Sequence, residues 1–69
     1  MTAQEMFEEL NLPLNENHPF KDCLVYGVCF TCQILFDKTE KIIVANIVLT
    51  PKHIEAINKQ CKELRWLDE

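Results

Sequence analysis

Four cysteines, Cys23, Cys29, Cys32 and Cys61, are the residues of this 69-residue chain best suited to chemistry. They supply the count of a four-thiolate zinc site, and Cys29-Phe30-Thr31-Cys32 has the two-residue gap that such sites use. In a regular strand, however, Cys29 and Cys32 point to opposite faces, and no glycine follows the pair to form a tight knuckle. A redox Cys-x-x-Cys pair works best at a helix start, where a thiol pKa is lowered, whereas Phe30 and Thr31 favour strand. The simpler reading is reduced, buried thiols that behave as small hydrophobes, with no metal or other cofactor. A small zinc-bearing regulatory protein using Cys23, Cys29, Cys32 and Cys61 is the alternative.

Other constellations are sparse. His18 and His53 are separated by the apolar middle of the chain, and neither has an acidic neighbour at a ligand or triad spacing. The chain has no serine, which excludes a serine nucleophile, and its single glycine excludes the usual phosphate-cradling loop. Glu5, Glu8 and Glu9 read as a solvated helix face rather than an acid-base cluster. No catalytic residue is assigned, and the protein is expected not to be an enzyme.

The elements that must position these groups follow from patterning. Thr2-Ala3-Gln4-Glu5 has the form of a capping box, and Ala3, Met6, Phe7 and Leu10 then share one helical face, stopped by Asn11 and Pro13. Residues 13–22 read as a connector with Phe20 as a packing anchor. From Leu24 to Phe36 the even positions are the more apolar, and from Ile43 to Leu49 the odd ones are. Placing Asp37 to Glu40 in a loop pairs Phe36 with Lys41, Ile34 with Ile43, Cys32 with Ala45, Phe30 with Ile47 and Val28 with Leu49. Gly27 marks a bend or bulge that can divide the first run. Thr50-Pro51 then opens a second helix whose apolar stripe is Ile54, Ile57, Cys61, Leu64 and Leu67. The expected fold is one small α+β domain over residues 1–69, an antiparallel hairpin or small sheet flanked by N- and C-terminal helices in the order α-β-β-α.

Eleven acidic against seven basic residues give a net charge of -4, which repels a nucleic-acid backbone. No apolar run approaches the ~20 residues that span a bilayer, and the start lacks the features of a signal peptide. The expectation is a cytoplasmic protein with neither nucleic-acid nor membrane partners.

The segments Thr2-Ala3-Gln4-Glu5-Met6-Phe7-Glu8-Glu9-Leu10 and Ile57 through Leu67 resemble the flanks of small uncharacterised proteins encoded by phages and prophages of Gram-positive bacteria. Such proteins open with a short helix ending in Leu-Gly-Tyr, pass through a few strands and close with a helix ending in Glu-Leu-Gly-Trp. Here Asn11 and Arg65 stand where that pattern has glycine, and the middle is shorter and richer in cysteine. The resemblance covers about a third of the chain. It implies a phage accessory setting and assigns no activity to any residue.

The second sheet face carries Val25, Leu35, Ile42, Val44 and Val48, which is more apolar than a solvated face requires. Either the N-terminal helix lies over it or a second copy of the chain does, and the homodimer is the expected solution. With Trp66, these residues form the expected interaction surface of a non-enzymatic protein–protein interaction module. Its partner is a second copy or a host protein that it binds or inhibits. A self-associating structural protein is a further alternative.

Overall fold

The computed structural model describes residues 1–29 and 31–67. Along the chain lie α1 (Ala3–Glu9), β1 (Cys23–Cys29), β2 (Cys32–Asp37), β3 (Ile42–Ala45) and α2 (Pro51–Glu63). The strands form one antiparallel sheet in the order β1-β2-β3, giving the expected α+β architecture with one strand more than the simplest hairpin.

Short helices persist here because both ends of each are closed. The Thr2 hydroxyl accepts from the Glu5 N–H at 3.2 Å, and Glu5 Oε1 accepts from the Thr2 N–H at 2.8 Å, completing the predicted capping box. These bonds to Thr2 also hold the Glu5 carboxyl below its ordinary pKa. At the other end Asn11 is left-handed (φ 62), and the Asn11 and Leu12 N–H groups donate to the carbonyls of Glu8 (3.1 Å) and Phe7 (2.9 Å). That is a Schellman closure, with Leu12 and Phe7 both buried behind it. The second helix repeats the plan. His53 Nδ1 accepts from the Thr50 N–H at 3.1 Å, Arg65 is left-handed (φ 62), and the Arg65 and Trp66 N–H groups reach Lys62 (3.0 Å) and Cys61 (2.8 Å).

Both helices lie on the same sheet face. Ala3 and Phe7 from α1 and Ala56 and Cys61 from α2 share one buried cluster with Tyr26, Ile34 and Phe36. The Phe7 ring stacks on Tyr26 with centroids 4.2 Å apart, and Phe36 meets both rings edge-on at 6.0 Å. Glu63 Oε2 of α2 accepts the N–H of Ala3 at 2.8 Å, tying the start of α1 to the end of α2. The N-terminal helix therefore does not cover the second sheet face.

The inward side of α2 differs from the predicted stripe. Ala56, Gln60 and Cys61 are buried, Ile57 and Leu64 lie at the margin, and Ile54 and Leu67 are exposed. The cause is polar. The Tyr26 hydroxyl donates to Gln60 Oε1, so a glutamine must face the core and the helix presents a neighbouring arc. Trp66 packs half-buried against the core, with its ring 6.2 Å from that of Phe36 between centroids.

The register of β2 with β3 is also displaced by two residues. Phe36 pairs with Ile43 and Ile34 with Ala45, so the loop is Lys38 to Lys41 instead of Asp37 to Glu40. Asp37 Oδ1 accepts the N–H groups of Thr39 (3.0 Å) and Glu40 (3.2 Å), which makes Asp37 the last strand residue and starts the turn after it. The expected pair of Cys32 with Ala45 does not form because the shifted register gives Ala45 to Ile34, and that of Val28 with Leu49 does not form because Val28 lies in β1, on the other side of β2 from β3. The expected pair of Phe30 with Ile47 lies outside the described residues.

The link between Tyr26 and Gln60 generates two predictions. Tyr26→Phe and Gln60→Leu should each cost ~1–3 kcal/mol in urea unfolding by orphaning a buried polar partner, and the double variant should cost less than their sum. Simple additivity would deny the coupling. Burial, then the nearby Glu63 and Glu8 carboxylates, push the Tyr26 pKa up to about 12. The folded state thus holds the phenolic proton where an unfolded tyrosine, near ~10, releases it. Stability from this group is complete below that lower value and is lost as pH rises toward about 12. Tyrosinate absorbance reads this cleanly because the chain has one tyrosine, and ordinary titration of the folded protein would refute it.

Candidate functional site

Two surface features carry chemistry or contact potential, and each is set by a sheet edge. On the β1 side, Asn15 N–H donates to Val25 O at 2.8 Å and Gly27 N–H to Pro13 O at 2.9 Å, with Leu14 bridged to Tyr26. Residues 13–15 therefore cover that edge, and Pro13 contributes only its carbonyl to the pairing. On the other side β3 is the last strand, and all four of its residues are exposed. Asn46 N–H donates to Gln33 O at 3.2 Å, and by antiparallel alternation the backbone groups of Ile43 and Ala45 point away from β2.

The expected interaction residues divide along the same axis. Val25 is fully buried and offers no surface, while Leu35, its partner across the strands, is half-buried. Ile42, Val44 and Val48 are 48%, 55% and 88% exposed. Ile43, Leu49 and Ile54, which sequence patterning placed toward the core, join the exposed apolar residues of this part of the chain. Trp66 belongs to the core margin. Of the expected surface residues, those that stay exposed thus gather at β3 and the segment after it, while Val28 is a separate exposed apolar residue at the bulge of β1.

The second feature is the turn between β1 and β2. Gly27 pairs with Gln33, but Cys29 pairs with Cys32, so Val28 is an extra residue on β1. Without this bulge Cys29 would stand opposite Thr31. With it, two cysteines expected to diverge become direct cross-strand neighbours, both exposed. Gly27 (φ +137) is the residue that permits it, since a Cβ there would sit 2.3 Å from the Cys32 carbonyl oxygen.

The thiols differ in environment. Cys29 Sγ lies 3.2 Å from Thr31 Oγ1, and hydrogen bonds from Thr31, side chain and backbone, and then from Cys32, draw its pKa below the ordinary thiol value. Burial pushes the Cys61 thiol up. Burial and then the Asp37 and Asp22 carboxylates push Cys23 up. The structure joins Cys29 with Cys32 and leaves Cys23 and Cys61 elsewhere. Among the described residues no three His, Cys, Asp or Glu side chains gather as a metal site.

Beside Cys29 is a surface hollow of about 320 Å³ lined by Asn15, Asn17, His18, Val28, Cys29 and Gln33. His18 is held there by accepting the Phe20 N–H on Nδ1 at 3.2 Å, and Asn15 Oδ1 accepts the Asn17 N–H at 2.9 Å. Sequence spacing could not have placed His18 near Cys29, because the connector that carries it reads only as turn-forming residues. The pairing of Pro13 and Asn15 with β1 is what brings it there.

Comparison with protein-family models, curated proteins and solved structures finds no match. Among the described residues no helix is long and apolar enough to cross a membrane.

Because the bulge builds the turn, Gly27→Ala should destabilise the fold by at least ~2 kcal/mol in chemical unfolding. A neutral effect would mean that the Cys32 carbonyl can yield and that the bulge is not fixed by the missing side chain.

Proposed function

We propose that this is a non-enzymatic protein–protein interaction module whose working surface is β3 with the apolar segment that follows it. The observation that carries this reading is the edge of β3, unpaired among the described residues, beside Val44 and Val48, 55% and 88% exposed, while the opposite edge of the sheet is covered. Exposed strand edges next to apolar side chains are templates for another chain.

A second copy fits that surface by symmetry. Two β3 edges meeting antiparallel about a twofold axis would pair the outward groups of Ile43 and Ala45 and extend the sheet across the dimer. Covering ~400 Å² of apolar surface supplies ~10 kcal/mol of gross hydrophobic free energy, comparable with the cost of association. The same edge can be yielded to a host protein presenting a complementary strand. A phage accessory that binds or inhibits a host protein is the setting that the terminal segments imply.

Sedimentation equilibrium at micromolar concentration tests the proposal. The expected mass is twice the 8.1 kDa chain, and Val44→Lys should return it to one chain while leaving the helical circular dichroism intact. A mass of one chain at every concentration would refute the homodimer.

A further inference from the structure

We infer that Cys29 and Cys32 form a thiol–disulfide exchange site at the β1–β2 turn, in which Cys29 attacks an accessible low-molecular-weight disulfide and Cys32 closes the ring. The site lies on the hairpin that the bulge creates, apart from the β3 surface, and does not rest on the interaction reading.

Three observations on this hairpin converge. First, Cys29 and Cys32 are direct antiparallel partners, and such pairs have Cα separations of about 4.5–5.5 Å, inside the range a disulfide bridges. Second, both thiols are exposed, whereas Cys23 is half-buried and Cys61 buried. Third, the Cys29 sulfur is placed to be stabilised as a thiolate by the Thr31 hydroxyl, 3.2 Å away, and by the Thr31 and Cys32 backbone N–H groups. The Thr31 hydroxyl thus favours the thiolate of Cys29, as a helix start does for the usual Cys-x-x-Cys pair.

In the first step the Cys29 thiolate bonds to one sulfur of the incoming disulfide, and the other sulfur leaves as a thiolate that takes a proton from water. Cys32, giving its proton to solvent, then bonds to the Cys29 sulfur and expels the second thiolate, which is protonated in turn. The small disulfide gains two electrons and becomes two thiols, and the protein dithiol loses them to become the Cys29–Cys32 disulfide. The adjoining hollow of about 320 Å³, lined by neutral polar side chains, His18 and Val28, has room for the organic arm of the first adduct. An uncharged disulfide suits a chain of net charge -4 better than an anionic one.

Hydroxyethyl disulfide is the probe. Quenching with an alkylating agent and mapping peptides by mass should show Cys29 and Cys32 lost together as an intrachain link, with an adduct on Cys29 only in passing. In Cys32→Ser the adduct on Cys29 should persist. In Cys29→Ser the reaction at the remaining exposed thiol should slow by at least about tenfold. Both substitutions fall on exposed strand ends, and an unchanged near-ultraviolet spectrum checks the fold. A Cys29 adduct as persistent in the native protein as in Cys32→Ser would overturn ring closure. An undiminished rate in Cys29→Ser would overturn the role of Cys29 as attacking thiol.

Discussion

Tyr26 is the point at which every layer of this protein meets. Its ring carries Phe7 of α1 on one side and the edge of Phe36 of β2 on another, and its hydroxyl reaches Gln60 of α2. A chain of this size buries only ~60% of its extended surface, so few side chains can be fully enclosed and each must satisfy several neighbours. A buried phenol serves this purpose only if its hydroxyl is bonded. That demand dictates which arc of α2 faces inward, and with it the exposure of Ile54 on the far margin.

The terminal helices were readable because their signals are local. Thr2 and Glu5, or Thr50 and Pro51, act within one turn, and the Asn11-Pro13 stop needs no distant partner. The β2–β3 pairing was readable in its parity but not in its register. A shift of two residues leaves Ile43 and Ala45 on the same sheet face as before, so hydrophobic alternation cannot distinguish the alternatives. Asp37 decides between them through the amides of Thr39 and Glu40, a contact between atoms that the alternation of side chains does not encode.

The division of the first apolar run was harder to read. Phe30 and Thr31 have the composition of strand interior, and glycine, the usual sign of a turn, stands earlier at the bulge. Reading the run as continuous separates Cys29 from Cys32, and reading it as a hairpin with one extra residue joins them. Gln60 escaped notice for a different reason. A glutamine among Ile and Leu positions weighs against burial until its partner is known, and Tyr26 lies 34 residues away. What sequence supplied for the surface was its apolar character, while its confinement to β3 depends on how residues 13–15 cover the opposite edge.

The bond from Ala3 to Glu63 spans 60 residues, and it orders events during synthesis. The first helix leaves the ribosome long before the second exists. At ~5–20 residues per second, the 60 positions from Ala3 on to Glu63 take about 3–12 s to appear. Through that interval Met6, Phe7 and Leu10 have no α2 to pack beside, and a seven-residue helix does not hold its shape alone. The nascent chain therefore carries α1 without its partner, its apolar edge open to capture by chaperones, until α2 emerges to clasp it.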